Sequence, residues 1–541
     1  MGGNLEPAIG EWRQCLGQGY VCTDETTLNH YARSTQPRGT RPAAVLRPQT
    51  RDEVCTVVRI ASRHCIPIYP VSRGKNWGYG DACAVTDGQV ILDLSRMNRI
   101  WEVNEALAYA VIEPGVTQQQ LHDYLAAHGH RLWLDVTGAG PDASVIGNTL
   151  ERGFGHTPYG DHYQCSAGYE VVLADGRTLT TGFGHYGNAE ASYIYKAGLG
   201  PSLDGLFSQS NLGVVTKMGV WLLPKPERLL GFFFSIPEDD GLPEVIERLR
   251  ELRLAGVVQS TVHIANDLRV LSARQSYPWA LTQGATPLNP AVRLQLRKNA
   301  GLGAWNALGA FYGSREMVSA GRRALKRSLA GMVTLKTVNE RRLRIAEAIL
   351  PWLNRLGIGG RIADQLRAVR PVFELLRGTP SSEHLAGAGW RSRNERNSKS
   401  FDPLDNGWGI YWLSPVLPMT GTAARALLGI VEPIFQRFAF EPLITMTSIT
   451  ARALCCVLTV AYDRENPAES AAAQECYDRL FDAVMEAGFI PYRVGIQSMA
   501  GISTSNADVF WDVVGTLKDA LDPAAILAPG RYNPRRFPQS P

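Results

Sequence analysis

The sequence lacks a hydrophobic run long enough to cross a membrane, and it lacks a secretory leader. No stretch of its 541 residues approaches the about 18 consecutive apolar residues that a transmembrane helix needs. Residues 1–14 contain charges and no apolar core of the signal-peptide type. We therefore expect a cytoplasmic protein that is not embedded in a membrane.

The sequence also lacks a large excess of positive or negative charge. The formal net charge is +4 and the arginines are scattered, so neither nucleic acid nor a membrane surface is expected as a partner. The nine cysteines include no CxxC pair, and no histidine cluster has metal-ligand spacing, so we expect free thiols and no metal. The adjacent Cys455 and Cys456 stand in an apolar run, which favours a buried strand over a redox pair.

What the sequence does have is two glycine-rich segments. The first, residues 70–80, reads Pro-Val-Ser-Arg-Gly-Lys-Asn-Trp-Gly-Tyr-Gly and follows a short apolar run. Successive N–H groups of such a loop can form an anion-binding nest that suits a diphosphate, and a plain turn is the alternative. The loop fits neither common phosphate motif, because Asn76 follows Lys75 where the Walker pattern needs Ser or Thr, and GxGxxG is absent.

The second glycine-rich segment is residues 138–160, about 70 residues further along. Capping boxes at Thr50 and Thr117, with apolar periodicity around them, predict short strands alternating with helices from residue 41 onwards. Both glycine segments follow predicted strands. We therefore expect them to approach one extended ligand from two sides.

The length of the chain, and the long polar interruptions between predicted strands and helices after Pro226, predict an α+β protein of more than one domain. We assign residues 1–228 to a first domain, residues 229–495 to a cap, and residues 496–541 to a C-terminal segment that packs back on the first domain. The polar stretch of residues 378–406 is too long for a packed element and is expected to be a functional or mobile loop.

Motifs spread along the chain carry a family resemblance. They are Arg41-Pro42-Ala43-Ala44-Val45, residues 72–80, Leu92-Asp93-Leu94, Glu113-Pro114-Gly115-Val116-Thr117, Trp133-Leu134-Asp135-Val136, Ile146-Gly147-Asn148, Thr157-Pro158-Tyr159-Gly160-Asp161-His162, Leu203-Asp204-Gly205-Leu206-Phe207 and Leu527-Ala528-Pro529-Gly530. In this order they resemble the vanillyl-alcohol oxidase and 4-cresol dehydrogenase (p-cresol methylhydroxylase) flavoproteins. The resemblance implies an FAD-binding domain of two α+β subdomains, of the p-cresol methylhydroxylase (PCMH) type, and an α+β substrate-binding cap.

The resemblance also implies which residues hold FAD. The first glycine segment would hold the diphosphate and the second would lie on the other side of the cofactor. The residues are Ser72, Gly74, Lys75, Asn76, Gly78, Ser144, Gly147, Asn148 and, near the flavin pyrimidine, Arg531. The alternative for Arg531 is a surface position in a basic tail with Arg535 and Arg536.

In that family the substrate is a para-substituted phenol whose oxygen is held by two tyrosines and an arginine. The matching residues here are Tyr79, Tyr492 and Arg493. They would stabilise the phenolate, from which a benzylic hydride leaves readily for the flavin and yields a p-quinone methide. The plain alternatives are an aromatic plug for Tyr79 and an ordinary strand pair with an exposed arginine for Tyr492 and Arg493.

The chain departs from the family pattern at several positions. Isoleucine 410 stands where a residue linked covalently to FAD would be, so we predict non-covalent FAD, with Tyr411 as the fallback attachment site. The acidic residue expected near the flavin is absent, and Asp142 is the nearest carboxylate. His156 replaces a tyrosine and is expected to line the pocket as a base, with a histidine satisfied by backbone groups as the alternative. Trp412 and Val457 are expected to line the substrate pocket.

These residues leave several functions to weigh. The leading hypothesis is oxidation of para-substituted phenols, with oxygen as electron acceptor in an oxidase or another protein as acceptor in a dehydrogenase. Oxidation of another alcohol or hydroxy acid does not require the two tyrosines and the arginine. A non-enzymatic flavin scaffold would not need to retain them. A homodimer or larger assembly is expected.

Overall fold

The computed structural model describes residues 5–355, 360–394, 400–503 and 508–533. Two larger sheets, a two-stranded sheet of β7 and β11, and the helices around them occupy the first part of the chain. The helices are α1 (Leu5–Leu16), α2 (Glu25–Tyr31), α3 (Arg51–Arg63), α4 (Gln118–Ala127) and α5 (Val145–Leu150). The strands are β1 (Val21–Cys22), β2 (Ala44–Leu46), β3 (Ile68–Val71), β4 (Val90–Asp93), β5 (Ile100–Asn104), β6 (Tyr109–Ile112), β7 (Leu132–Trp133), β8 (Ser166–Val172), β9 (Thr178–Thr180), β10 (Val214–Trp221) and β11 (Leu223–Pro224).

The first sheet carries the first glycine segment at its edge. Its order is β1-β2-β4-β3, with β2, β4 and β3 parallel, so the loop after β3 leaves the carboxyl end of a parallel sheet. Helix α3 covers this sheet and begins at Thr50, whose hydroxyl accepts the N–H of Glu53 at 3.2 Å. The predicted capping position is therefore confirmed, and the short apolar run before the loop is the strand β3.

The second sheet is antiparallel and carries the second glycine segment. Its order is β5-β6-β10-β8-β9. Helix α4 begins at Thr117, whose hydroxyl accepts the N–H of Gln120 at 3.0 Å, and α5 begins at Ser144, whose hydroxyl accepts the N–H of Gly147 at 2.9 Å. Ser144 therefore begins the short helix that contains Gly147 and Asn148.

The later part of the chain forms an antiparallel sheet of eight strands. They are β12 (Arg228–Ile236), β13 (His263–Asn266), β14 (Trp305–Gly313), β15 (Thr334–Val338), β16 (Trp408–Leu413), β17 (Val416–Pro418), β18 (Leu443–Ser448) and β19 (Ala453–Asp463), in the order β15-β12-β14-β13-β18-β19-β16 with β17 on β19. The helices are α6 (Leu242–Leu254), α7 (Asp267–Arg274), α8 (Trp279–Thr282), α9 (Pro290–Asn299), α10 (Arg315–Ser328), α11 (Glu340–Arg355), α12 (Gly360–Leu376), α13 (Gly421–Arg437) and α14 (Pro467–Glu486).

The two faces of this cap sheet have different neighbours. Side chains alternate along a strand, so Ile264, Met446, Cys456 and Leu458 share one face and pack with apolar residues of α6, α10, α13 and α14 in the largest core cluster. Residues of the opposite parity, such as His263, Thr447 and Val457, point the other way. We call these two sides the helix-covered face and the inner face. The boundary predicted at residue 228 stays a prediction; β11 ends at Pro224 and β12 begins at Arg228 in a different sheet.

The stretch of residues 378–406 is more ordered than its polarity indicates. Its described part contains a 3-10 helix, Glu383–Gly389, followed by Trp390 and Arg391, whose side chains are almost fully buried. Arg391 donates to the Glu441 carboxylate at 2.9 Å. The expectation that this stretch forms no packed element was therefore wrong for this part, because it buries an ion pair and apolar side chains.

The nine cysteines are all unpaired by disulfides, as predicted, and Cys455 and Cys456 are fully buried on β19. In the described ranges no helix has both the length and the apolar character that a bilayer crossing needs. The same residues contain no cluster of three or more potential metal ligands.

The C-terminal segment contacts the first sheet, and a buried lysine holds that segment in place. Helix α15 (Val509–Leu521) precedes Leu527, which forms a parallel bridge with Ile68 of β3. The Lys518 ammonium donates to the Asp522 carboxylate at 2.6 Å and to the carbonyl oxygens of Asn211 and Leu527 at 2.6 and 2.7 Å. This cation therefore fixes Leu527 beside β3 and ties the C-terminal segment to the loop before β10.

Replacement of Lys518 by Met should lower the free energy of unfolding by about 3–5 kcal/mol, because it leaves the buried Asp522 carboxylate without its cation. The measurement is urea denaturation followed by tryptophan fluorescence. Lys298→Met, at an exposed helix position, is the matched control and should change stability by less than about 0.5 kcal/mol. Equal stabilities of the two variants would contradict this role for Lys518.

Candidate active site

A long cleft runs between the two glycine segments. Including its open mouth it spans about 1240 Å³. The predicted cofactor residues Ser72, Gly74, Lys75, Asn76, Ser144, Gly147, Asn148 and Arg531 all line it. A Cβ atom added to Gly147 would lie 3.0 Å from the Ser72 hydroxyl oxygen, so the two segments touch at this point. The structure thus brings together two segments that are far apart in the sequence.

The first glycine loop has the properties of an anion nest. Gly74 and Gly78 have φ values of +64° and +70°, which L side chains rarely adopt. Within the described chain, the amide N–H groups of residues 73–76 donate to no protein acceptor, and the buried Nε atom of Arg73 has no partner. Unpaired donors lining a cleft are what a diphosphate would satisfy. The donor set therefore fits the FAD that the resemblance implies.

Gly78 has a different environment from the rest of the loop. Its N–H donates to the Thr35 hydroxyl at 3.0 Å, and a Cβ added to Gly78 would lie 3.1 Å from the backbone nitrogen of Trp412. Gly78 therefore allows the cap sheet to approach the loop closely. It does not line the cleft itself.

Two predicted cofactor residues are engaged by partners that the sequence did not indicate. The Lys75 ammonium donates to the Asp402 carboxylate at 2.7 Å. Arg531 forms an ion pair with Glu151 and donates to the Tyr69 hydroxyl at 2.5 Å. Burial lowers the pKa of Arg531, but the neighbouring tyrosines outweigh this and raise it overall. Arg531 is therefore part of the cleft wall rather than a surface residue; Arg535 and Arg536 lie outside the described residues.

At one end of the cleft, Arg493 lies against the predicted tyrosines. Its guanidinium carbon is 3.8 Å from the ring centre of Tyr79 and 5.7 Å from that of Tyr492. Its buried Nε atom has no hydrogen-bond partner, and no described carboxylate forms an ion pair with it. Burial lowers the pKa of Arg493, but the two phenols outweigh this and raise it overall, so the group stays cationic.

The two tyrosines are held differently. The Tyr79 hydroxyl lies 2.7 Å from the hydroxyl of Ser414, where either group can be the donor. Tyr492 is fixed by its backbone, since its N–H donates to the Ser414 carbonyl at 3.1 Å and its carbonyl accepts from the Gln209 amide at 2.9 Å. Burial raises the pKa of Tyr492 well above its ordinary value despite Arg493, so this phenol stays protonated as a donor.

The inner face of the cap sheet forms the wall beside this triad. Trp412 and Val457 are both on it, and the Trp412 ring meets the Tyr79 ring edge to face with centres 5.9 Å apart. Trp412 lines the cleft as well. The positions of Trp412 and Val457 are therefore compatible with a substrate pocket between the inner face and the glycine loop.

Tyr411, the predicted fallback attachment site, lies on the other face of the cap sheet from Trp412. It is one residue out of phase with Trp412 and so lies on the helix-covered face, where it is buried. Its hydroxyl donates to Gln474 of α14 and its ring stacks on Tyr477 with centres 4.7 Å apart. Ile410 instead faces the glycine loop and would contact a Cβ on Gly78 at 3.2 Å.

His156 is paired with a second histidine rather than with backbone groups. Its Nδ1 atom lies 2.7 Å from Nε2 of His263, whose Nδ1 lies 3.0 Å from the Thr447 hydroxyl. The Nε2 atom of His156 is buried without a partner. Burial lowers the pKa of His156 well below its usual value and that of His263 to about 4, so both rings are neutral.

A buried carboxylate supports the second glycine segment. Asp135 accepts the N–H groups of His156 and Thr157 at 3.0 and 3.1 Å, and His162 Nε2 at 3.1 Å. Burial alone would raise the pKa of Asp135, but the bond from His162 and the nearby histidines hold it below its usual value. His162 Nδ1 lies 2.7 Å from the Asn148 amide oxygen, so the network reaches the cleft. Asp142, the nearest carboxylate in the sequence, is exposed.

Sequence reasoning missed the residues that act as partners in this site. Ser414, Gln209 and His263 had no local pattern that marked them as partners, and Glu151 lies in the second glycine segment without a pattern that marks it as an ion-pair partner. Asp135 and His162 did belong to quoted motifs. The polarity of Asp135 within the apolar run of residues 133–136 was the signal that could have marked it as buried.

Two family models match the chain: "FAD binding domain" over residues 42–182 and "FAD linked oxidases, C-terminal domain" over residues 426–532. The 1'-carboxy-chondrochloren decarboxylase of Chondromyces crocatus is 39% identical over 98% of this chain and 97% of its own. The flavoprotein subunit of 4-cresol dehydrogenase from Pseudomonas putida is 32% identical over 98% of this chain and 95% of its own.

A solved structure agrees with these matches. The 4-ethylphenol oxidase of Gulosibacter chungangensis, in complex with isoeugenol, superposes with a TM-score of 0.88 and 29% identity over 99% of this chain and 98% of its own. Residue patterns, whole-length identity and fold therefore coincide, as the resemblance implied. The chain belongs to the vanillyl-alcohol oxidase and 4-cresol dehydrogenase family of FAD-dependent oxidoreductases.

Proposed function

We propose that this FAD-dependent oxidoreductase oxidises para-substituted phenols, such as 4-alkylphenols and 4-hydroxybenzyl alcohols, at the benzylic carbon. The observation that carries the proposal is the Arg493 guanidinium, which lies against two tyrosines in the cleft and has no carboxylate beside it among the described residues. A phenolate oxygen would supply the missing negative charge. Relatives named for 4-cresol and 4-ethylphenol support the same substrate class.

The triad would act by stabilising the ionised substrate. A free phenol has a pKa of about 10, and each unit by which binding lowers it corresponds to about 1.4 kcal/mol. Arg493 provides the charge and the protonated Tyr492 provides a hydrogen bond. If Ser414 donates to the Tyr79 oxygen, the Tyr79 proton is free for the substrate, which makes Ser414 a positioning residue. A phenolate pushes electrons into the ring and so favours loss of the benzylic hydride.

FAD would be held by the residues that line the cleft, and when bound it supplies the acceptor for the benzylic hydride. The loop of Ser72, Gly74, Lys75 and Asn76 would hold the diphosphate through its unpaired N–H groups. Ser144, Gly147 and Asn148 would lie along the opposite wall. Arg531 would face the pyrimidine with part of its charge balanced by Glu151.

The neutral His156 provides a base on the second glycine segment. Its unpartnered Nε2 atom can accept a proton from water that adds to the quinone methide, or from the side chain when an alkene forms. His263 would orient the ring through the 2.7 Å contact to Nδ1. The electron acceptor, oxygen or a protein, the cytoplasmic location and a homodimeric or larger assembly stay predictions.

A second candidate is oxidative decarboxylation of a phenol whose para side chain carries a carboxylate. The observation in its favour is the 39% identity to a relative named a decarboxylase. The benzylic hydride would leave for FAD, the bond from the adjacent carbon to the carboxylate would break, and its electron pair would form an alkene as CO2 leaves. The phenol proton is lost and regained, so the overall charge balances.

Replacement of Tyr492 by Phe should slow anaerobic flavin reduction by 4-ethylphenol about 10- to 100-fold, because a hydrogen bond to an anion contributes about 1.5–3 kcal/mol. Arg493→Met should slow it about 100- to 4000-fold, since a buried charge loses its partner at a cost of about 3–5 kcal/mol. The measurement is stopped-flow absorbance of the flavin. Tyr411→Phe is the control: it removes a hydroxyl on the helix-covered face, and its flavin should be reduced at the wild-type rate. Undiminished rates in both triad variants would refute the proposal.

Acid precipitation of the purified protein should release the yellow cofactor into the supernatant, because Ile410 has no atom that can form a bond to FAD and Tyr411 is engaged on the other face. The measurement is the flavin absorbance of pellet and supernatant, with mass spectrometry of the intact chain as an independent check. A yellow pellet and a mass increased by one FAD would show that the prediction of non-covalent binding is wrong.

The two candidate functions differ in one product. With 3-(4-hydroxyphenyl)propanoate as substrate, oxidative decarboxylation yields one CO2 and one 4-vinylphenol for each flavin reduced, whereas benzylic oxidation alone yields a product that keeps the carboxylate. The measurement is headspace CO2 from carboxyl-labelled substrate together with chromatography of the products. Flavin reduction with no CO2 would eliminate the second candidate and leave the first intact.

A further inference from the structure

Arg269 is a cation of the cap that has no anionic partner. It lies in the first turn of α7, three residues after Asn266, which caps this helix. An added Cβ on Gly387 would lie 2.6 Å from its Nη1 atom, so the guanidinium packs against the 3-10 helix of residues 383–389. Within the part of the chain that the structure describes, no carboxylate or other acceptor contacts its side chain.

Two other arginines of the cap differ from Arg269 in this respect. Arg293 donates to Asp267 at 2.6 Å, and Arg391 donates to Glu441 at 2.9 Å. Asp267 is the acidic residue nearest to Arg269 in the sequence, and its carboxylate is taken by Arg293. Burying a guanidinium without an anion is unfavourable, and burial lowers the pKa of Arg269 for that reason. An anion from outside the chain would relieve this cost.

The surroundings of Arg269 connect it to the site described above. The positive charge of Arg269 helps to lower the pKa of His384, which belongs to the 3-10 helix. The Cβ atom of His384 would be 3.7 Å from a Cβ on Gly138, and the next residue, Ala139, lines the cleft. His384 also lies close enough to His156 and His263 to influence both.

Arg269, His156, His263 and His384 are neighbours whose side chains are each partly exposed. The three histidines are neutral, because burial lowers the pKa of His384 and of His263 to about 4 and that of His156 well below its usual value. They offer hydrogen bonds but no charge to balance Arg269.

We propose that Arg269 binds a carboxylate carried by the para side chain of the substrate, so that the preferred substrates are para-hydroxyphenyl carboxylic acids. This inference rests on the proposed function, in which Arg493, Tyr79 and Tyr492 hold the phenolic end. One cation would then receive each end of a substrate with two anionic groups. A guanidinium binds a carboxylate with two parallel hydrogen bonds, which fixes the side chain as well as attracting it.

The test compares pairs of ligands that differ only in the carboxylate. 3-(4-hydroxyphenyl)propanoate and 4-(4-hydroxyphenyl)butanoate are each matched with the alkylphenol that lacks the acid, and dissociation constants are measured by anaerobic calorimetry on the FAD-loaded protein after its flavin has been reduced with dithionite, so that no hydride can be transferred. At least one acid should bind about tenfold more tightly or better than its partner. Arg269→Gln should abolish this preference and leave alkylphenol binding within about twofold.

Arg274→Gln provides the matched control, because Arg274 is exposed at the opposite end of the same helix. It should keep the preference for the acid.

An equal affinity for acid and alkylphenol in the protein with Arg269 intact would overturn the inference without any need for the Arg269 variant to fold. Alkylphenols that bind and reduce the wild-type flavin would at the same time sustain the proposed function. If no phenol binds to the protein or reduces its flavin, the proposed function is overturned, and this inference with it.

Discussion

The site depends on one buried cation, the guanidinium of Arg493, which is held against the faces of two aromatic rings and has no described carboxylate beside it. Three segments must meet to hold it there. The glycine loop brings Tyr79, the end of the cap sheet brings Ser414, and the chain after α14 brings Tyr492 through a backbone bond to the Ser414 carbonyl. The charge is left unneutralised in the protein, which makes an anionic ligand the partner that completes it.

The alternation of side chains along the cap sheet decides which residues can take part. Residues on the helix-covered face build the main apolar core, and Tyr411 is fixed there by Gln474 and Tyr477. Residues of the opposite parity, Trp412, Val457 and His263 among them, face the glycine segments. A shift of one residue exchanges these two environments, so a strand that reads as uniformly apolar in the sequence has one structural face and one functional face.

Local patterns predicted features that lie within one segment, the glycine loops and the helix caps at Thr50 and Thr117, because these depend on neighbours in sequence. The Tyr492-Arg493 pair was indicated only by the family resemblance, since an ordinary strand pair fits the same residues. The partners that join distant segments were not visible: Lys75 with Asp402, Arg531 with Glu151, and His156 with His263 each depend on tertiary packing. For the same reason the buried segment around His384 was taken for a loop, because its polarity is satisfied by contacts that only the fold creates.

The central claim is that Arg493 and its two tyrosines hold the substrate as a phenolate. The most direct measurement is the ultraviolet difference spectrum of a bound, non-oxidisable 4-halophenol recorded as the pH is varied. The account predicts that the bound phenol is ionised at neutral pH, well below its pKa in water, and that Arg493→Met returns the ionisation to the pH range of the free phenol. A phenol that binds to the wild-type protein in its neutral form would contradict the account.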